Sequence, residues 1–550
     1  MQMCTFGGTG ADATKQAIDS VFMDGKIKLD DYTNKLIGTT ADGANVNFGA
    51  YNGMLKKLED DGRPWLVKIH CVNHRTELAV KNAFENSKFR SVDKFYIGLF
   101  NLLKNSGAIK SDIKSAATSL DISVYTLPKM TGTRFVSHRK KALTHLLDMW
   151  PAIITALENT LAVRQHKPET RAKIQGQLKE LKSYPFLCLV CTYLDMLEKI
   201  TPTSLTFEGE GLLPYEVMTT IEMTITELED VIACAGTDEE FLDSHLSRFR
   251  FIENEDGTTS LSSKFVKTKN MLKKAANREY VSINLEGFTR VNLDSMAKAS
   301  EAKKKFAAEL IGFIRVRFSS FNDPVYKCMK WFDPKNWEIE SSINDINNIK
   351  AFAEHFSVPL QSTLYDGGRI PGEFKRLRVF VNLNFGDKMT EGSVTAKGVW
   401  KNLIKFRQDQ FPNLTILARI ILVLSPSNSS VERCFSVLTS LLTDRRLAMS
   451  HATIEMIIRI HGNNRVWTDN EREEILERAV DIHLKKRRTK EMDKESPKKR
   501  QRLNPVEIID DSDDAIDENE SGSGSSSSSG DESESNSSEN NSSENESDTD

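Results

Sequence analysis

From Ala11 to Met23, Ala13, Ala17, Ile18 and Val21 recur at the spacing of one helix face. Leu36–Ile37 leads into GTTADGANVNFGA, whose glycines and asparagines suit a strand end turning into a loop. Trp65 to Ile69 is a short β-like run, and from Arg75 to Phe84 the pattern becomes helical. Strand, loop, strand, helix predicts an α/β layer. Residues 90 to about 385 read as mostly helical, with apolar residues at i, i+3, i+4 in 95–103, 142–157 and 184–197, and with Pro151 and Pro185 near helix starts. Residues 355–395 are richer in Gly and Pro and read as a connection. Apolar density rises again from Val394 to Trp467. There the turn and N-cap cluster Ser425 to Ser430 precedes a helix with Val431, Phe435, Leu438 and Leu442 on one face. A second helix, Thr453 to Ile460, presents Ile454, Ile457 and Ile458. Beyond about residue 484 no periodicity is visible.

Charge changes this picture at the C-terminal end. Of the 550 residues, 506–550 hold 16 acidic side chains and no Lys or Arg, whereas 485–502 carry a net +7. The overall −4 therefore conceals a body, 1–484, at +5, which permits a polyanion partner without demanding one. Seven scattered cysteines make no disulfide framework and fit a reducing, intracellular compartment. The N-terminus lacks the basic and apolar regions of a signal peptide, and the longest apolar run, Ile416 to Leu424, is broken by Arg419 and too short for a bilayer. A soluble chain with no membrane partner is expected.

Three blocks carry candidate chemistry. Thr39-Thr-Ala-Asp42-Gly-Ala-Asn-Val ends the first strand, and His70-Cys71-Val-Asn-His74-Arg-Thr-Glu-Leu-Ala follows the second. Ser430-Val-Glu432-Arg433-Cys-Phe435-Ser436 is followed by Arg445-Arg446-Leu447. In this order and separation they resemble hAT-superfamily transposases and the zinc-finger-type proteins domesticated from them, with Thr133-Arg134-Phe135 standing where the family has Arg-Trp. The resemblance covers nearly all of residues 1–465. It implies an RNase H-like α/β core interrupted by a large α-helical insertion and completed from a C-terminal dimerisation region. Three carboxylates in such enzymes hold two divalent metals for in-line phosphoryl displacement.

Carried onto this chain, the resemblance makes Asp42 the second carboxylate and Glu432 the third, while the first falls on an opening strand that this sequence does not contain. Two carboxylates leave the metals under-coordinated, so the expectation is an incomplete core, no enzyme and no metal, with Mg²⁺ implied only if the chain is a fragment of an active or trans-complemented transposase. The usual BED zinc finger is likewise not found. Plainer readings stand beside each residue. Asp42 also fits a loop aspartate accepting backbone N–H bonds in a Gly/Asn turn. Glu432 also fits an acidic first-turn residue favoured by the helix dipole. Cys71 and His74 lack a second ligand pair, which favours a structural CxxH at a strand-to-helix junction over zinc. Cys188 and Cys191 read as core. Arg134 and Phe135 stand at the family's DNA-end position, where Phe can stack on a base; the alternative is a loop Arg beside a core aromatic. The family places dimerisation on the region holding Val431, Phe435, Leu438, Leu442, Ile454, Ile457 and Ile458.

In the tail, Lys485, Lys486, Arg487 and Arg488 with Lys498, Lys499, Arg500 and Arg502 read as a bipartite nuclear localisation signal for importin, or as a solvated basic linker. Val506, Ile508 and Ile509, followed by acids, resemble a SUMO-interacting motif. The remainder is a Ser/Asp/Glu-rich tail too poor in apolar residues to offset the entropy of ordering. The predicted organisation is a partial RNase H-like region (1–140), a helical insertion (141–390), the dimerisation region completing the RNase H-like fold (391–468), a basic helical or linker segment with the nuclear localisation signal (469–504) and an acidic disordered tail (505–550). The expected function is that of a catalytically inactive, homodimeric, hAT-like nuclear protein with nonspecific affinity for DNA. The alternatives are the transposase fragment and a SUMO-binding chromatin adaptor.

Overall fold

A computed structural model describes residues 8, 10–25, 27–130, 135–209, 211–235, 244–256, 259–266, 280–289, 293–337, 342–442, 449–463 and 468–492. The chain is mostly helical, and the described residues up to Thr489 belong to one compact unit. The helices that carry the argument are α1 (Ala11–Asp24), α2 (Val72–Glu85), α3 (Phe135–Asp148), α4 (Tyr184–Glu208), α5 (Pro214–Cys234), α6 (Leu293–Arg317), α7 (Ile370–Thr390), α8 (Ala396–Phe406), α9 (Pro412–Val423), α10 (Ser429–Leu441), α11 (His451–Asn463) and α12 (Asp469–Met492).

The expected α/β layer is present in small form. β1 (Gly38–Ala41) pairs in parallel with β2 (Val67–His70), Gly38 opposite Val67 and Ala41 opposite His70. A parallel pair needs a crossover, and residues 42–66, which include two short helices, supply it. Val67 and Ile69 alternate with Lys68 and His70 and point into the core. The described residues contain no larger sheet around this pair, so of the expected RNase H-like core only a mostly helical body with one parallel pair is visible.

Two readings are corrected. Residues 249–286, read as part of a helical stretch, hold a three-stranded antiparallel sheet: β3 (Phe249–Glu253), β4 (Thr259–Val266) and β5 (Tyr280–Glu286), with β4 central. Residues 355–395, read as a connection, contain the 21-residue helix α7, with Pro371 in its first turn where no N–H is required. Its Leu377 and Val381 are one turn apart and buried, a spacing that the local Gly and Pro content obscured.

The core centres on α4, which is buried on nearly all sides, as a helix apolar all round must be. Cys188 and Cys191 lie inside it as free thiols. Helices α2, α3, α5 and α6 pack around it. Tyr193 stacks on Phe89 at 4.7 Å and on Phe84 at 5.5 Å. At the C-terminal side Glu373 of α7, almost fully buried, accepts from Asn413 Nδ2 (2.9 Å) and from the N–H of Leu414 (2.9 Å). A carboxylate thus meets the free N–H groups at the start of α9, where the helix dipole favours it.

Candidate functional site

The residues singled out in the sequence meet where the C-terminal segment docks on the β1–β2 pair. Gly38 allows a close approach: a Cβ there would lie 2.3 Å from Leu424 Cδ2, which would have to shift. This close approach lets residues 424–428 run along both strand ends. Thr40 Oγ1 donates to the carbonyl of Ser425, the Val72 N–H to that of Pro426 (3.0 Å), and the Asn428 N–H to Cys71 Sγ (3.3 Å). Ser427 and Ser429 share a hydroxyl hydrogen bond of 2.7 Å, and Ser429 Oγ reaches the carbonyl of Phe207 at the end of α4. Arg433 Nη1 donates to the carbonyl of Glu208 (3.2 Å). The start of α10 is therefore fixed to the strands and to the central helix, and Glu432 stands in its first turn.

Asp42 follows β1. Its Oδ1 accepts the Ala44 N–H (3.2 Å) and Asn47 Nδ2 (2.6 Å), closing an Asx turn. His70 ends β2 beside it; a Cβ on Gly43 would come within 2.3 Å of His70 Cε1. Burial pushes the His70 imidazole down to about 4, with Arg75 and His74 adding in the same direction and Asp42 opposing. The ring is neutral at physiological pH, and its Nε2 has no hydrogen-bond partner among the described residues. Cys71 is buried as the residue preceding α2. Burial pushes its thiol up, the Glu432 carboxylate contributing in the same sense, which disfavours the thiolate that nucleophilic or zinc chemistry needs. The His70 and His74 rings are 6.0 Å apart and tilted.

These residues do not fit a two-metal centre. Among the described residues no three His, Cys, Asp or Glu side chains are placed to hold a metal ion, and one oxygen of Asp42 is already engaged in its own turn.

Two further members of the same motif have structural roles that the sequence did not disclose. Arg75 is buried and donates through Nη1 to the carbonyl of Arg317 (2.6 Å), closing the C-terminal end of α6, and to Ser320 Oγ (2.7 Å). Glu77 is buried against the start of α3, where burial pushes its carboxyl up to about 7 while the N–H groups of Phe135 and Val136 pull it down. Neither of its oxygens completes a hydrogen bond among the described residues.

The DNA-stacking role expected of Phe135 is corrected. Its ring is in the core, 5.3 Å from Phe84 and beneath Arg139, whose guanidinium carbon is 3.4 Å from the ring centroid. Arg139 is itself paired with Asp93 at 2.8 Å. Arg134 lies outside the described residues, as do Lys498, Lys499, Arg500, Arg502, Val506, Ile508 and Ile509. Lys485 to Arg488 fall within α12.

The apolar stripe expected at the dimer interface is divided. Ile454 and Ile458 are buried with Cys434 in a small core between α10 and α11, with Leu438, Leu442 and Met449 packed against it. Ile457 is half-buried. Val431 (43% exposed) and Phe435 (59%) remain on the surface beside that core. Two helices cannot enclose every apolar side chain of a 3.6-residue stripe, and those on its flank stay outside.

A feature missed in the sequence lies on α8: Lys397, Lys401 and Lys405, at i, i+4, i+8, with no acidic residue in the helix. Lys405 Nζ sits 4.9 Å from the ring centroid of exposed Phe406, and the guanidinium carbon of Arg407 lies 5.7 Å from that of Phe380 on α7. The lysine spacing was available in the sequence and signals a basic helix face.

Residues 399–463, from within α8 to the end of α11, match the family model of the hAT family C-terminal dimerisation region. The match covers the segment that docks on the strands, holds Glu432 and leaves Val431 and Phe435 exposed. No described helix is long and apolar enough to cross a membrane.

Proposed function

We propose that this chain is a hAT-transposase-derived nuclear protein that self-associates through residues 399–463, does not cut DNA, and holds nucleic acid weakly through its phosphates. The observation that carries the reading is the exposed apolar pair Val431 and Phe435 on a helix pair that already has its own core, inside a matched dimerisation region. Changing both to Asp is expected to leave the unfolding transition unchanged, because neither side chain is buried, and to weaken self-association by roughly tenfold or more, since two large apolar contacts are lost. Light scattering across a concentration series reads this directly; an unchanged dimer would overturn the assignment of the interface to this face.

Absence of catalysis is supported by the poor fit of Asp42, His70, Cys71 and Glu432 to a metal pair. Cleavage of terminal-inverted-repeat DNA in Mg²⁺, abolished by Asp42→Ala, would instead establish the transposase reading. The nuclear assignment rests on the two basic clusters at 485–488 and 498–502, and the SUMO reading on the triplet Val506, Ile508, Ile509. For nucleic acid, the α8 lysines are the supporting feature in place of Phe135. Lys401→Glu with Lys405→Glu is expected to weaken binding of random-sequence duplex DNA uniformly and to flatten its salt dependence by about two phosphate contacts. Fluorescence anisotropy at several salt concentrations tests it; an unaltered slope would remove α8 from the interface.

A further inference from the structure

The basic stripe of α8 ends on an aromatic ring. Phe406, the last residue of the helix, is 62% exposed, and Lys405 Nζ sits 4.9 Å from its centroid. The turn that follows is pinned. The Arg407 N–H donates to the carbonyl of Leu403 (2.8 Å), and the carbonyl of Arg407 accepts from the N–H groups of Gln410 (3.0 Å) and Phe411 (3.2 Å). The Arg407 guanidinium is held beside Phe380 of α7, and Gln408 Oε1 accepts from Arg419 Nη2 of α9 (2.8 Å). These contacts join Lys401, Lys405, Arg407 and Arg419 into one surface around Phe406. All four cations are exposed, and none makes an ion pair among the described residues. From residue 396 to 423, Asp409 is the one acid against five Lys or Arg.

One exposed apolar side chain is ordinary on a protein surface. A ring set among cations that have no acid is a different arrangement, because whatever covers the ring must also take those cations out of water. The same face of a second copy would bring the same cations to meet them, and burying them without acids is costly. A nucleic-acid strand supplies both requirements: phosphates for the cations and flat bases for the ring. Base faces are open to a side chain only where the strand is unpaired; in a duplex they stack on one another and the grooves show edges. Lys401 and Lys405 are about 6 Å apart along the helix axis, close to the separation of consecutive phosphates on one strand. We propose that the C-terminal end of α8 binds single-stranded nucleic acid, with one base stacked on Phe406 and the flanking phosphates on Lys401, Lys405 and Arg407. The turn that carries Phe406 and Arg407 is already fixed, so little ordering is needed on binding. This inference rests on the reading of α8 as a phosphate-binding face and adds to it a preference for unpaired strands.

The test uses the full chain, a fluorescein-labelled DNA strand of mixed sequence, and the same strand annealed to its complement, with binding read by anisotropy at one salt concentration. Phe406→Ala is expected to weaken binding of the unpaired strand by about tenfold, as loss of one base–aromatic stack does, and to change duplex binding by less than about twofold. Phe406→Trp restores a stacking face and should bind the unpaired strand as tightly as the natural chain. Because Phe406 is exposed, the unfolding transition of both variants is expected to match that of the natural chain. An equal loss on both probes, or no loss on the unpaired strand, overturns the inference. So does a shift of Phe406→Ala toward monomer in light scattering, which would put the ring in an interface between copies. Lys401→Glu with Lys405→Glu separates the two readings. If that variant weakens duplex binding while Phe406→Ala leaves the unpaired strand unaffected, the phosphate face stands and the stacking proposal falls. If it leaves both probes unchanged, both fall.

Discussion

Trp400→Ala should destabilise the compact unit by about 4 kcal/mol, within the range for truncating a buried Trp or Phe to Ala. Trp400 is fully buried. It stacks on Phe332 at 5.0 Å, meets Trp331 edge-on at 5.4 Å, and donates from Nε1 to the carbonyl of Phe332 at 2.5 Å. These contacts hold α8 against residues 329–332, and α8 opens the matched dimerisation region. Truncation leaves both a cavity and a carbonyl without its donor. Trp400→Phe separates the two, because it keeps most of the ring and removes the N–H; a loss of about 1–2 kcal/mol is expected from the orphaned carbonyl. Denaturant midpoints give the totals, and amide hydrogen exchange should show α8 and α9 opening first. A loss below about 1 kcal/mol for Trp400→Ala would mean that the surrounding aromatics collapse into the space.

The second large effect concerns pH. Glu77 holds its proton in the folded chain up to about 7, against an ordinary value of 4.5. Between those values the folded state binds more protons than the unfolded chain, so stability falls as pH rises through the window. The contribution is complete below pH 4.5 and lost above pH 7. Its size is about 3 kcal/mol, since each tenfold change in proton affinity corresponds to roughly 1.4 kcal/mol. Glu77→Gln keeps the shape and removes the charge. It should be more stable than the natural chain by roughly 1–3 kcal/mol at pH 8, with the difference vanishing near pH 4.5. Comparing the two proteins isolates this group from Asp195, which burial pushes up to about 6 and which acts in the same sense, and from His70, whose depressed value acts in the opposite sense below pH 6.5. Parallel stability curves for the two proteins would show that Glu77 does not titrate in this window. Because Glu77 faces the N–H groups that begin α3, its ionisation acts on the segment adjoining Arg134, and a pH-dependent change in hydrogen exchange at Phe135 and Val136 is expected alongside.

Much of the candidate site was legible along the chain because its parts are local. The turn cluster at 425–430, the helices holding Val431 to Leu441 and Ile454 to Ile458, and the Asp42 turn each arise from side chains within a few residues of one another. The lysine stripe of α8 was equally local and equally available. The β3–β4–β5 sheet was not, since a strand is stabilised by its neighbours, and β4 has to find Phe249–Glu253 on one side and Tyr280–Glu286 on the other.

Short-range order along the chain set where helices start, which faces are apolar, the separation of acidic from basic charge, and the succession of motifs that resembles hAT transposases. Those properties depend on spacing of a few residues and on composition. Packing in three dimensions alone settled that Cys71 meets Asn428 across 357 residues, that Gly38 makes room for Leu424, that Phe135 is core, and that Ile454 and Ile458 are enclosed within one chain while Val431 and Phe435 are not. Periodicity fixes which way a side chain faces on its own helix, whereas what it faces depends on distant segments brought together by packing.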